Sequence, residues 1–161
     1  MTKGNPQGPR IVLLTGEGKG KTTSALGMAL RAVGHGMRVS VIQFIKSRSD
    51  TGEVIALSRF PEVEIVQCGL GFVPPSDNRD EYAKHKAAAE DGLKKAGEKM
   101  TDPGIRMVIL DEICGAIHRQ LVSADAVMAV VSKAHPDMIV VLTGRNATPG
   151  LIERADTVSR I

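Results

Sequence analysis

Residues 10–36, RIVLLTGEGKGKTTSALGMALRAVGHG, pass directly from a strand pattern through a glycine-rich turn into a helix pattern, and this succession leaves few folds open. Four consecutive apolar residues, Ile11 to Leu14, suit a strand covered on both faces, as strands of parallel sheets are. Ala25, Leu26, Ala29, Leu30 and Val33 then recur at helical spacing along one face, and Gly34 or Gly36 is placed to end that helix.

The same alternation continues down the chain. Strand patterns recur at RVSVIQF (38–44), VEIVQC (63–68), RMVIL (106–110), MIVVLT (138–143) and, more weakly, DTVSRI (156–161). Helical stretches fall between them: 77–101, opened by Asp77 as N-cap and stopped before Pro103; 124–134, entered through Ser123; and 149–155. Strand–helix alternation demands right-handed crossovers. The expected fold is therefore a three-layer α/β domain over residues 10–161, a mostly parallel sheet of about six strands with helices on both faces. The polar, Gly/Pro-rich MTKGNPQGP (1–9) reads as a flexible leader.

A chain of 161 residues is long enough to bury roughly two-thirds of the surface its unfolded form exposes, so no disulfide or metal staple is required. Cys68 and Cys114 are the only cysteines, and no apolar run approaches the ~20 residues that cross a bilayer. A reduced, cytoplasmic protein with no membrane attachment is expected. The net charge of +3 is dispersed; in DNRDEYAKHKAAAEDGLKKAGEKM six bases and six acids cancel, the pattern of a solvated helix face. With three Phe, one Tyr and no Trp, the chain lacks the aromatic platforms that single-stranded nucleic acid stacks on, and no nucleic-acid partner is expected.

The turn GEGKGKTT has the ingredients of a phosphate-binding loop, but Gly16 is followed by three residues, not four, before Gly20, Lys21 and Thr22. Glycines alone can be turn chemistry. Lys19 and Lys21 cannot be explained so, because the start of a helix disfavours cations unless an anion lies between them and the amides. A phosphate there satisfies the amides of residues 18–23, pairs with Lys21 and leaves the Thr22 hydroxyl for Mg2+, with Mn2+ as a substitute. MVILDE supplies the acids such a site needs. Four apolar residues carry Asp111 and Glu112 to the carboxyl edge of the sheet, where a carboxylate can hold the metal. The alternative, a pair of surface acids, loses ground once the loop is considered with it.

Through TGEGKGKTTSALGMALRAVGHGMRVSVIQFIK, GLGF, VILDE, TGR and ADTVS the chain resembles, over nearly its whole length, the ATP:corrinoid adenosyltransferases of the bacterial CobA/BtuR/CobO type. The resemblance implies a RecA-like phosphate-loop fold, often a homodimer, that transfers the 5'-deoxyadenosyl group of ATP to the cobalt of a reduced, Co(I), corrinoid and releases triphosphate, in adenosylcobalamin biosynthesis or salvage. It implies that the shortened loop, Gly16, Glu17, Gly18, Lys19, Gly20, Lys21, Thr22 and Thr23, holds the triphosphate in the reverse sense and leaves the ribose 5' carbon exposed. Lys21, with a metal held by Thr22, Asp111 and Glu112, then stabilises the leaving group. Arg145 of TGR is implied to contact the nucleotide; the alternative is a loop arginine paired with Asp156 or Glu153.

The family also uses a Phe of a Gly-Phe segment, with a nearby Trp, to displace the lower ligand of cobalt so that Co(II) can be reduced. Gly71 and Phe72 match the Phe segment, and Pro74 stands where the Trp falls. Phe72 and Pro74 are the implied corrinoid contacts, against an alternative in which Phe72 is a buried loop anchor. Glu17 replaces the usual Asn, with Lys19 or solvent as its expected neighbour, and family members usually continue beyond the position of Ile161. A flavodoxin-like protein is the implied electron donor. Cys114 reads as a small packing residue, and His35, His85, His118 and His135 as surface or capping residues. Loop and acids alone also fit a conventional phosphate-loop ATPase or kinase and, less well, a RecA-like nucleic-acid motor.

Overall fold

The computed structural model describes residues 8–47 and 51–161; most of the leader, residues 1–7, lies outside them. In chain order the elements are β1 (Arg10–Thr15), α1 (Lys21–Gly34), β2 (Arg38–Gln43), α2 (Gly52–Leu57), β3 (Val63–Gln67), α3 (Arg79–Thr101), β4 (Ile105–Asp111), α4 (Ile113–His118), α5 (Ala124–Val131), β5 (Ile139–Thr143), α6 (Pro149–Arg154) and β6 (Thr157–Arg160). The strands form one six-stranded sheet in the order β3-β2-β4-β5-β1-β6. Every neighbouring pair is parallel.

Alternation along the strands divides the core in two. Val12, Leu14, Val39, Val41, Met107, Ile109 and Val141 face one side, where Ala25, Leu26, Ala29 and Ala32 of α1 and Leu57 of α2 cover them. Ile11, Leu13, Ile42, Val108, Leu110, Val140 and Leu142 face the other, beneath α3, α4, α5 and α6. Each fully buried Leu or Ile contributes about 1.5–3 kcal/mol, so two dry interfaces hold the layers. The α3 stripe, His85, Ala89, Leu93, Ala96 and Met100, keeps helical spacing, while Lys84–Glu81 and Lys95–Asp91 pairs occupy its wet side.

Several local expectations are corrected. Leu30 is half exposed, and Ala32 instead completes the buried face of α1. Asn78, not Asp77, holds the N-cap position of α3, without a side-chain cap. By contrast Ser123 caps α5 as expected, accepting from the Ala126 amide at 3.1 Å. His85 is buried rather than at the surface. Helices α2 and α4 were not anticipated, since six residues are too few for a 3.6-residue period to declare itself. Both cysteines are buried and free.

Candidate active site

The loop after β1 turns through left-handed glycines at both ends, Gly16 at φ 108° and Gly20 at φ 113°, where a side chain would be strained. It delivers Lys21 and Thr22 to the first turn of α1, whose amide ends and dipole favour an anion. Lys21 is 6% exposed, and its ammonium folds back to donate to the carbonyls of Gly16 at 2.8 Å and Gly18 at 2.6 Å. The Gly18 amide donates to the Ile161 main-chain oxygen at 2.7 Å, so the amides of residues 18–23 are not all free for phosphate as the sequence suggested. Ile161 also lies close against the glycines on that side. A methyl on Gly16 would collide with its main-chain oxygen, and one on Gly18 would lie 2.6 Å from its carbonyl carbon.

Asp111 closes β4 with no exposed surface, and the polar residues of the site converge on it. Its Oδ1 accepts from Thr22 Oγ1 at 2.8 Å and Thr143 Oγ1 at 2.9 Å. Its Oδ2 accepts from Gln43 Nε2 at 3.1 Å and pairs with Lys46 Nζ at 3.4 Å. Gln67 donates to the Gln43 carbonyl at 2.9 Å and so fixes which end of that amide meets the acid. An unpaired carboxylate this deep would cost several kcal/mol; these partners are what make its burial tolerable. Lys46 also donates to Thr22 Oγ1 at 3.3 Å and lies 3.6 Å from Glu53 on α2.

Gln43, Lys46 and Thr143 were not anticipated as site residues. A signal existed: Gln43, Asp111 and Thr143 are each a polar last residue that follows an apolar pair or run, Val41–Ile42, Met107–Leu110 and Ile139–Leu142. Because β5 lies between β1 and β4, Thr143 fills the space between the loop strand and the acid strand.

Glu112 adopts a left-handed conformation, φ 62°, at the N-cap of α4, and its amide donates to Thr143 Oγ1 at 2.9 Å. Its carboxylate lies over the first turn of α4, where a methyl on Gly115 would come within 3.1 Å of Oε2. Thr22 is thus brought to Asp111. Glu112 stands beside that pair through its backbone.

Among the described residues no three His, Cys, Asp or Glu side chains cluster as a metal cage. Mg2+ does not require one, since it keeps several waters and takes one or two carboxylates plus substrate phosphates. A hydroxyl and a carboxylate oxygen 2.8 Å apart beside a phosphate loop are hard donors that fit it. Cys114, fully buried behind Glu112, has its thiol pushed up to about 12, chiefly by burial and then by the Glu112 charge. It is packing, as expected, and not a nucleophile.

The outer residues are arranged more loosely. Lys19 and Thr23 are exposed on the loop and the first turn. Arg145 Nε approaches Glu17 Oε2 at 3.6 Å, so its ion partner is neither Asp156 nor Glu153; Glu17 is largely exposed to solvent, as one of its two expected settings had it, with Arg145 rather than Lys19 as its charged neighbour. Asp156 instead accepts from the Ile11 amide at 2.7 Å.

Phe72 is 87% exposed, which removes the buried-anchor alternative. With half-buried Pro74 it lines a cavity of about 370 Å³ whose other walls include Tyr82, His118 and Arg119. The segment carrying Phe72 is tied to the extension of β2: the Gly69 amide donates to Gln43 O at 3.2 Å and the Gly71 amide to Ile45 O at 3.0 Å.

Comparison with known proteins bears on the family and the fold. Residues 7–161 match the family model described as ATP:corrinoid adenosyltransferase BtuR/CobO/CobP. A corrinoid adenosyltransferase of Pseudomonas aeruginosa is 41% identical over 152 residues, 94% of this chain and 73% of that protein. One from Sinorhizobium sp is 39% identical over 154 residues, 94% and 71% respectively. Among solved structures, the flagellar accessory protein FlaH from Methanocaldococcus jannaschii superposes with a TM-score of 0.59 at 15% identity, covering 96% of this chain and 71% of that one. That likeness concerns the fold alone, the parallel α/β sheet with helices on both faces. With the family pattern extending over nearly every residue from the leader to Ile161, the chain belongs to the ATP:corrinoid adenosyltransferases, enzymes that move the adenosyl group of ATP onto a corrinoid.

Proposed function

We propose that the short loop holds the triphosphate of ATP reversed, so that the ribose 5' carbon faces a Co(I) corrinoid. The observation that carries this reading is the three-residue spacing between Gly16 and Gly20, in a loop closed against Ile161 that leads Lys21 and Thr22 to Asp111. The filled axial orbital of Co(I) supplies the electron pair of the new cobalt–carbon bond. The bond from the 5' carbon to its oxygen breaks, and triphosphate leaves with that pair. No proton leaves the nucleophile, so no general base is needed, and none of the four histidines is given a part.

Lys21 exchanges the carbonyls of Gly16 and Gly18 for phosphate oxygens, keeping its ammonium in a buried place where a charge is most effective. Thr22, Asp111 and Glu112 are the residues that hold Mg2+ or Mn2+, which when bound supplies positive charge to the leaving triphosphate. Gly16, Glu17, Gly18, Lys19, Gly20 and Thr23 shape the cradle, and Arg145, drawn to the loop by Glu17, reaches the nucleotide.

Phe72 presents its ring to the lower face of the corrin with Pro74 as a rigid apolar neighbour; removing the lower ligand makes Co(II) easier to reduce. A flavodoxin-like donor, a homodimeric state and a cytoplasmic setting complete this reading and rest on the family resemblance. The test is a product assay: protein, ATP, Mg2+ and chemically reduced cobalamin should yield intact triphosphate and a light-sensitive carbon–cobalt bond in equal amounts. ADP as the main product would overturn it in favour of a phosphoryl-transfer enzyme.

A further inference from the structure

Lys46 is the residue whose position the reaction described so far leaves unexplained. Its ammonium lies 3.3 Å from Thr22 Oγ1 and 3.4 Å from Asp111 Oδ2, the side chains assigned above to the metal, and 3.6 Å from Glu53 Oε1. The lysine is about one-third exposed whereas Asp111 is buried. It is therefore the Asp111 partner most able to move, while Gln43 and Thr143 are buried where they stand.

We propose that Lys46 is an exchanging counter-ion, holding the Thr22–Asp111 pair in the absence of nucleotide and giving it up to the metal only when a triphosphate arrives to take the lysine charge. Two arguments converge. An ammonium and a divalent cation cannot share two oxygens at this range without strong repulsion, because the surroundings screen charges less than water does. Release of Lys46 toward Glu53 alone leaves a half-exposed pair of small value, whereas a triphosphate offers several charged oxygens at the helix start beside it. Metal and nucleotide binding are thereby coupled, and the metal alone binds poorly. This rests on the assignment of Thr22 and Asp111 to the metal.

The experiment measures Mn2+ affinity by paramagnetic resonance, with and without ATP and with no corrinoid present, so that no turnover enters. In the wild type, ATP should tighten Mn2+ binding strongly. In Lys46→Met the nucleotide-free affinity should rise, narrowing the gap between the two conditions by on the order of tenfold, within the usual range of couplings between sites. Lys46→Arg, which keeps the charge, should retain most of the gap. An unchanged gap in Lys46→Met overturns the inference. Thr22→Val separates the two levels: if it leaves both Mn2+ affinities as in the wild type, the metal assignment itself fails, and the counter-ion role with it.

Discussion

A phenyl ring left 87% exposed does nothing for the fold, which makes Phe72 a clean place to separate chemistry from stability. Phe72→Ala should unfold within about 0.5 kcal/mol of the wild type, as surface changes do. Given pre-reduced Co(I) it should turn over at nearly the parent rate. Starting from Co(II) it should lose about tenfold or more, equivalent to about 1.4 kcal/mol in the barrier. Equal losses in both assays remove Phe72 from the wedge role. At this scale the sequence was legible where a motif fixes spacing: Thr22 of the loop meets Asp111 of the acid strand, while Lys21 folds back onto the loop carbonyls. It was silent where the fold joins distant residues. Gln43 meets Asp111 across 68 positions and Thr143 does so across 32, and only strand register brings them to one edge.

Among elements, the long ones announced themselves by periodicity, and of the six-residue helices α2, α4 and α6 only α6, with Pro149 in its first turn, was anticipated. The β strands and helices α1, α3 and α5 carry their periodicity openly, whereas α2 and α4 are single turns and a half whose identity is set by what they cover. The tie between β2 and the Phe72 segment belongs to this scale too, and one glycine reports on it. A methyl on Gly69 would collide with the Ile45 carbonyl, in main chain that has no rotamer with which to yield. Gly69→Ala should therefore destabilise by about 1–3 kcal/mol, lowering the thermal midpoint by roughly 2–4 °C for each kcal/mol. Calorimetry checks the cost; a change under 0.5 kcal/mol would mean that the two segments part readily.

For the molecule as a whole, the two-sided sheet explains both what could be foreseen and how it should respond to pH. Uninterrupted apolar runs gave the layers away, because only strands covered on both faces can afford them, while the exposed edge strand β6 read weakly for the opposite reason. Deep between the layers the Cys114 thiol holds its proton up to about 12, against about 9 when unburied. A group whose affinity for its proton rises on folding lends its full stabilisation below pH 9 and loses it as pH climbs toward 12. The thermal midpoint should thus fall more steeply above pH 9 in the wild type than in Cys114→Ala; parallel slopes would mean that the thiol ionises in place. Lys46 itself follows a backbone fastening, Ile45 accepting from the Gly71 amide, and precedes Ser47, whose hydroxyl lies close enough to Gly71 that a methyl there would come within 3.2 Å of it. The strand end that carries the lysine thus also carries the aromatic ring, one residue beyond Gly71, so the nucleotide side and the corrinoid side of the proposed site share a single support.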